Sequence, residues 1–220
     1  MNNKFLKMAF AGLVLGVSSF AHATPISITG YDVLNAHTSG YGGWAHTYTG
    51  TITNTGSGAS YTGGTGTMAD GLDSTWYSNT QLFNLSNAAT ITLYLDGFYA
   101  IDTLELWQGD FSNSIPGGIE TIDLTIGAAT DTLTGSPFST SGSSFSNRND
   151  SFSFAGSALS GLVTDQITLS SISEGNCCNY FSISEIRLEG TVSSVPEPGS
   201  LALLGLGLAG LGFSRKKRKS

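Results

Sequence analysis

Apolar and polar residues alternate with a period of two along most of the stretch 24–194. In the run ATITLYLDG, Ile91, Leu93 and Leu95 fall on one side of a strand and polar residues on the other. The runs are short and are bounded by Gly, Asn, Asp and Ser, which is typical of strands and turns. Alternation indicates antiparallel sheets with one wet face, and no run keeps a helical period. We therefore predict an all-β domain of about eight strands, an antiparallel β-sandwich of the jelly-roll type.

The alternation changes phase near the end of the predicted domain. Phe181 and Ile183 have one parity, whereas Ile186 and Leu188 have the other. A β-bulge between the two pairs would reconcile them, and a bulge redirects the side chains around it. The side chain that it would redirect is that of Glu185.

Two segments rich in Gly, Ser and Thr, 53–67 and 135–150, interrupt the pattern. Strands resume on either side of each segment, so we predict long surface loops and not linkers. The stretch 24–194 is then a single domain of 171 residues, which is long enough to bury a substantial core.

The N-terminus has the order of a secretory signal peptide. Two lysines precede the apolar run 8–17, and the small residues Ala21 and Ala23 occupy positions −3 and −1 of a cleavage site. We predict that residues 1–23 form a signal helix that is removed on export.

The charge of the predicted domain is strongly one-sided. The stretch 24–194 contains 15 of the 16 acidic residues and 2 of the 9 basic residues of the chain, which gives a net charge of −13. Such a surface repels nucleic acid and anionic lipid, which excludes both as partners. It also attracts divalent cations, and oxygen-rich loops suit Ca²⁺.

The C-terminal segment 195–220 combines three features. Pro196, Glu197 and Pro198 precede the apolar run 201–213, and five basic residues follow at 215–219. As a helix, 13 apolar residues span about 20 Å, which is short of the roughly 30 Å hydrocarbon core. Neighbouring residues extend it to a marginal transmembrane helix, with the basic cluster on the cytoplasmic side.

This order resembles the PEP-CTERM sorting signal. The resemblance implies recognition by an exosortase, a membrane protease of Gram-negative bacteria that make exopolysaccharide. The enzyme would cut near Pro196, Glu197 and Pro198. The chain would thus be anchored transiently in the inner membrane and then reach the cell surface or the extracellular matrix.

Two further segments, MADGLDSTWY and FSISEIRLEG, resemble motifs of galactose-binding-like, or discoidin-type, jelly-roll domains. The resemblance rests on Ala69, Asp70, Gly71, Thr75 and Trp76 in the first segment and on Glu185, Ile186 and Gly190 in the second. It implies a structural Ca²⁺ ion held by Asp70, Asp73, Thr75 and Glu185. The alternative is a plain Asx turn with a buried tryptophan and no metal.

Three aromatic residues in predicted loops, Tyr41, Trp44 and Tyr180, are candidates for stacking on sugar rings. Ordinary packing is the alternative for each.

The two cysteines, Cys177 and Cys178, are adjacent. An exported protein can form a vicinal disulfide between them, although its ring departs from ordinary disulfide geometry. Free thiols and intermolecular pairing are the alternatives.

The sequence gives no catalytic pattern. The predicted domain contains two histidines, His37 and His46, and no G-x-S-x-G motif. We therefore expect a non-catalytic, exosortase-processed surface or matrix protein that binds or organises exopolysaccharide. A structural or adhesive glycosylated protein without a specific glycan site, and a secreted hydrolase that uses two carboxylates, are the alternatives.

Overall fold

A computed structural model describes residues 23–37, 46–55, 58–72, 80–110, 119–135, 146–174 and 179–193. These residues form twelve strands: β1 (Thr24–Ile26), β2 (Ile28–Ala36), β3 (Thr51–Thr55), β4 (Gly58–Gly64), β5 (Gln81–Asn84), β6 (Thr90–Asp110), β7 (Ile119–Ile126), β8 (Ala129–Thr134), β9 (Ser146–Ser153), β10 (Val163–Glu174), β11 (Tyr180–Ile183) and β12 (Glu185–Val192). Two 3₁₀ turns lie at Thr67–Ala69 and Leu85–Asn87. The described residues include no α-helix.

Strand β6 is 21 residues long and belongs to both layers of the fold. Its first part pairs with β2 and β10, and its second part pairs with β12 and β9. The pairing of β6 with β10 is irregular between the two parts. Thr164 and Gln166 of β10 are two residues apart, but their partners on β6, Tyr99 and Tyr94, are five residues apart. The additional residues of β6 form the corner at which this strand passes from one sheet to the other.

The larger sheet has the order β11–β5–β2–β6–β10–β7–β8, and the hairpin β3–β4 is attached to β2. The smaller sheet has the order β1–β12–β6–β9. Every pairing is antiparallel. The prediction of an all-β antiparallel sandwich is confirmed, although the strands exceed the predicted number.

The core consists of the apolar residues that alternate with polar residues along the strands. Ile91, Leu93 and Leu95 of β6 are buried, as the sequence pattern predicted. The core also receives aromatic side chains, and Phe83 of β5 stacks on Phe181 of β11 with ring centroids 4.7 Å apart. These two residues lie directly opposite each other, so the stack ties β5 to β11 within the larger sheet.

The outer face of the larger sheet carries a row of polar side chains. Asp32, Thr92, Thr168, Thr125 and Thr130 lie directly opposite one another on five neighbouring strands. The hydroxyl oxygens of Thr92 and Thr168 are 3.3 Å apart, and those of Thr125 and Thr130 are 2.9 Å apart. Cross-strand threonine pairs stabilise a sheet and are compatible with water, so this is the wet face that the alternation predicted.

The prediction of a loop at 53–67 is wrong. These residues include the end of β3, the whole of β4 and the first residue of the 3₁₀ turn at Thr67–Ala69. The glycines allow close approach of the backbones, because a Cβ atom on Gly64 would overlap the backbone of Gly50. In the second predicted loop, residues 146–150 belong to β9, and residues 136–145 lie outside the described residues.

The irregularity predicted near Glu185 is present, as a bend between two strands and not as a bulge within one. β11 pairs with β5, and β12 pairs with β6. Ser184 lies at the bend, and both its backbone N–H and its hydroxyl donate to the carbonyl oxygen of Trp107, at 2.8 and 3.1 Å. The change of parity therefore follows from a change of partner strand.

Gly190 of β12 lies where an added methyl group should lower the stability of the fold. It pairs with Ile101 of β6, and its Cβ atom would overlap the carbonyl oxygen of Ala100. Overpacking a well-packed site costs about 1–3 kcal/mol. We therefore expect Gly190→Ala to lower the free energy of unfolding by about 2 kcal/mol and the Tm by roughly 4–8 °C. Thermal unfolding followed by circular dichroism measures both quantities.

Gly97→Ala is the matched control for this substitution. A Cβ atom on Gly97 meets only the ring of Tyr99, at 3.4 Å, which is ordinary contact. Equal melting temperatures for Gly190→Ala and Gly97→Ala would contradict the proposed overlap.

The predicted signal helix, apart from Ala23, and the whole sorting segment 195–220 lie outside the described residues. Within the part of the chain that the structure describes, no helix has the length and hydrophobicity to cross a bilayer.

Candidate functional site

The side chain of Glu185 lies on the outer side of the smaller sheet, under the turn that follows the first 3₁₀ segment. Glu185 is only 4% exposed. Both carboxylate oxygens accept the backbone N–H of Gly71, at 3.2 Å each. Gly71 has φ of +81°, a left-handed conformation that favours glycine. The carboxylate thus joins the turn to the first residue of β12.

Burial raises the pKa of the Glu185 carboxyl from its ordinary 4.5 to about 7. The negative charge of Asp70 raises this pKa further, whereas the N–H of Gly71 and the guanidinium of Arg187 lower it. Burial dominates because desolvation disfavours the charged form of an acid. Glu185 is therefore partly protonated near neutral pH.

Asp70 stabilises the same turn from within it. Its Oδ1 atom accepts the backbone N–H of Leu72, at 2.9 Å. This is the Asx turn that the sequence offered as the alternative to a metal ligand. The structure thus brings the carboxyl groups of Asp70 and Glu185 to consecutive N–H groups of one turn.

These two carboxyl groups are of the chemical type that Ca²⁺ requires, and a cation beside Glu185 would offset the cost of its buried charge. The described residues contain no group of three or more carboxylate, histidine or cysteine side chains that could hold a metal ion. Asp73 and Thr75, the other two predicted ligands, lie outside the described residues. The four-residue calcium site therefore stays a prediction.

Beside Glu185, the outer face of the smaller sheet carries an aromatic residue that the sequence did not single out. Trp107 lies directly opposite Glu185, and Glu105 lies directly opposite Arg187. The guanidinium carbon of Arg187 is 4.7 Å from the centroid of the Trp107 ring. The indole Nε1 donates to Oε2 of Glu105 at 3.4 Å. The three side chains are thus in contact through a cation–π interaction and a hydrogen bond.

A signal for Trp107 was present in the sequence. Leu104 and Leu106 point into the core, so Trp107 has the parity of the outer face. Its partners could not be found in the same way, because they depend on the register between β6 and β12.

An open cleft of about 570 Å³ adjoins this face. Its lining includes the turn at Asp70 and Gly71 together with Glu105, Glu185 and Arg187. Carboxyl groups that accept hydrogen bonds and a guanidinium that donates them thus face one cleft beside an aromatic ring.

Of the aromatic residues predicted to bind sugars, Tyr180 is described and lies at the start of β11, in the other sheet. Its ring stacks on His37, with centroids 5.4 Å apart and an angle of 27° between the planes. Tyr41 and Trp44 lie outside the described residues, as do Cys177 and Cys178. The structure therefore does not bring Tyr180 to the cleft.

The second histidine, His46, packs among tyrosines. Its Nε2 atom is 2.8 Å from the hydroxyl of Tyr31, and its ring stacks on that of Tyr61 at 4.8 Å. Burial lowers its pKa to about 4. The imidazole is therefore neutral at physiological pH and bridges β4 and β2 through its neighbours.

Residues 194–217 match the PEP-CTERM protein-sorting motif. The chain therefore carries the signal that directs export and processing by an exosortase, with a C-terminal membrane-anchor segment. No curated protein matches the sequence.

Solved structures with a similar fold include several family 32 CBMs. The one from C. perfringens NanJ, in complex with galactose, is 12% identical with a TM-score of 0.38 and covers 56% of this chain and 82% of its own. CpGH89CBM32-5 from Clostridium perfringens, in complex with GalNAc-β-1,3-galactose, is 13% identical with a TM-score of 0.42 and covers 73% and 94%. Truncated AlyQ, with CBM32 and alginate lyase domains, is 14% identical with a TM-score of 0.42 and covers 82% and 38%. At these values the likeness says nothing about the ligand of this chain.

Proposed function

We propose that the exported domain is a non-catalytic carbohydrate-binding module of the jelly-roll type, which binds or organises polysaccharide at the cell surface or in the extracellular matrix of a Gram-negative bacterium. The observation that carries this proposal is the trio Trp107, Arg187 and Glu105 beside an open cleft. Its partners are the exosortase during export and an extracellular polysaccharide afterwards. The sorting motif supports the first partner, and the trio supports the second.

The chemistry of the trio suits a sugar. The C–H face of a pyranose ring is apolar and packs against an aromatic ring, while its hydroxyls need donors and acceptors at fixed positions. Trp107 offers the part of its ring that Arg187 does not cover, Arg187 the donors and Glu105 the acceptor. Because these groups are already mutually bound, little side-chain entropy is lost when a ligand docks.

The charge around the cleft limits the kind of glycan. Asp70, Glu105, Glu185 and Glu189 line it, against the single guanidinium of Arg187. A negative potential disfavours polyanionic chains such as those built from uronic acids. The proposed ligand class is therefore a neutral or amino-sugar polysaccharide.

A glycan array of neutral, amino-sugar and uronic-acid oligosaccharides, followed by calorimetric titration of the binding members, tests this proposal. We expect binding to neutral or amino sugars, and Trp107→Ala should weaken it at least tenfold, about 1.4 kcal/mol or more, because the aromatic contact beside the cleft is lost. Trp107 is half-buried at the surface, so the melting curve of the variant checks that the fold persists.

Tyr180→Ala is the comparison variant. Among the three aromatic residues that the sequence predicted to stack on sugars, Tyr180 is the one that the structure describes. Undiminished affinity in Tyr180→Ala and loss in Trp107→Ala assign the site to the smaller sheet. The opposite result would move it to the larger sheet, and absence of binding to every glycan would favour a structural or adhesive role.

We further propose that Asp70 and Glu185 contribute to a structural Ca²⁺ site, together with Asp73 and Thr75. Support comes from the two carboxyl groups that accept neighbouring N–H groups of one turn and from the pKa of Glu185, which burial raises despite the nearby guanidinium of Arg187. Such an ion would fix the turn that forms one wall of the cleft.

A further inference from the structure

Strand β3 lies at an edge of the larger sheet. Among the described residues it pairs with β4 alone, in an unbroken register from Thr51 opposite Thr62 to Thr55 opposite Gly58. The backbone groups on its other side therefore meet no strand in the described part of the chain. Such a row of N–H and C=O groups is a template for a further strand, and native proteins protect their sheet edges against this pairing.

The other four edge strands, β1, β8, β9 and β11, carry such protection. β1 is three residues long and contains Pro25. β8 carries Asp131, whose side chain accepts the backbone N–H of Ala158 at 2.7 Å. β9 carries Asp150, an acidic residue that is fully buried, and β11 has only four residues. Short strands, proline, and charged residues on the edge or pointing inwards are known to block edge pairing.

β3 has none of these features. Its sequence, TITNT, contains no charge and no proline, and its pairing with β4 is regular. Residues 51–54 are all exposed, including Ile52 at 46%. Because neighbouring residues of a strand point to opposite faces, both faces of β3 are in contact with solvent. The hairpin β3–β4 therefore extends beyond the core of the sandwich, and another strand can reach it from the side.

The charge around β3 favours a second copy of this chain as that strand's source. Residues 33–69 contain no Asp, Glu, Lys or Arg, whereas the stretch 24–194 has a net charge of −13. Two copies of so acidic a domain repel each other over most of their surfaces. The uncharged hairpin is the region through which they can approach with the least repulsion.

The sequence of β3 is also complementary to itself. Antiparallel pairing of two copies can be centred on Thr53, which then lies opposite Thr53 of the other copy. Thr51 lies opposite Thr55, and Ile52 lies opposite Asn54. Threonine pairs across strands are favourable, and no like charges meet. The contact has twofold symmetry and closes after two copies, because it occupies the edge of each.

We propose that two copies of this chain associate through β3, so that their larger sheets form one continuous antiparallel sheet across a twofold axis. Addition of a strand to an open sheet edge is a common mode of protein association. A pair of five-residue strands is a small interface, so the association is weak and reversible. Copies that share one membrane or matrix are concentrated, which favours even a weak contact.

The dimer would present two carbohydrate sites. Trp107 belongs to the smaller sheet, and the cleft beside it is lined by no residue of β3. Pairing through β3 therefore leaves both clefts open. Two sites on one particle can link two polysaccharide chains or bind one chain with higher avidity. This consequence rests on the proposed function, whereas the dimer itself does not.

Sedimentation equilibrium of the full chain in density-matched detergent micelles, over a wide range of protein concentration, tests the proposal. The parent should show a monomer–dimer equilibrium, and added salt should strengthen the dimer, because salt screens the repulsion between acidic domains. Thr53→Lys and Thr53→Glu should each weaken the dimer at least tenfold, because like charges then meet across the twofold axis. An equal mixture of these two variants should restore association, since opposite charges then meet.

Thr134→Lys and Thr134→Glu are the matched controls. Thr134 is an exposed threonine of another edge strand, β8, and its variants change the net charge of the domain by the same amounts. Alone or mixed, they should associate as the parent does. Melting curves of all four variants check that the fold persists.

A chain that stays monomeric at every concentration, or a dimer that salt weakens, would overturn the proposal. So would equal association in the variants at 53 and at 134, which is the result expected of contacts made elsewhere, such as through the membrane segment. Failure of the mixed variants at 53 to associate would exclude the twofold pairing. Trp107→Ala should form dimers as the parent does, so this test and the glycan array can fail independently.

Discussion

The metal-free protein should become less stable as the pH rises from about 4.5 to about 7, and replacing Glu185 with glutamine should abolish this decline. The pKa of this carboxyl is about 7 in the folded chain and has its ordinary value of 4.5 in the unfolded chain. Between those values the folded state binds more protons than the unfolded state, so its stability falls as the pH rises. The contribution is fully present below pH 4.5 and is lost as the pH rises through about 7.

The size of this effect follows from the shift. One unit of pKa corresponds to about 1.4 kcal/mol, so the loss across the window is about 3 kcal/mol. A glutamine in place of Glu185 does not ionise, and its carbonyl oxygen can still accept the N–H of Gly71. We expect Glu185→Gln to be about 2 kcal/mol more stable than the parent at about pH 8 and close to it at about pH 5.

Urea unfolding at a series of pH values, with a chelator present, measures the effect. Glu189→Gln is the matched control, because Glu189 is an exposed carboxylate of the same strand. It should leave the pH dependence of the parent unchanged. A parallel decline of stability in the parent and in Glu185→Gln would show that burial does not raise the pKa of this carboxyl.

The core was predictable from the sequence because one face of each strand is buried and the other is wet. Ile91, Leu93 and Leu95 needed no knowledge of their partners, since a period of two identifies the inward face directly. The hairpin β3–β4 was predicted only in part. Threonine and tyrosine in the run 45–53 indicated a strand there, but residues 51–54 are all exposed, so no apolar alternation showed that β3 extends to Thr55 or that β4 pairs with it.

The candidate site was predictable only in part. Glu185 could be singled out because its segment resembles a known motif and because the parity changes beside it. The trio of Trp107, Arg187 and Glu105 depends on the register between β6 and β12, which are distant in the sequence. Register is set by packing and by the bend at Ser184, and a single sequence carries little information on either.

Calcium should raise the melting temperature of the protein, and more at about pH 8 than at about pH 5. An ion present at a hundred times its Kd stabilises the fold by about 2.7 kcal/mol, which corresponds to roughly 5–10 °C for a domain of this size. The pH dependence arises at Glu185, whose pKa is about 7, because at acid pH the ion must displace a proton from the carboxyl.

Thermal unfolding with Ca²⁺ and with chelator, at both pH values, separates a built site from general attraction to an acidic surface. Asp70→Asn and Glu185→Gln should each abolish the calcium response, and Glu189→Gln should keep it. Mg²⁺ should give a smaller shift, since it requires a stricter octahedral geometry and releases its water reluctantly. Equal shifts with both cations, or in all three variants, would assign the effect to the net charge of the domain. An unchanged melting curve would leave Glu185 with one role, that of joining the turn at Gly71 to β12.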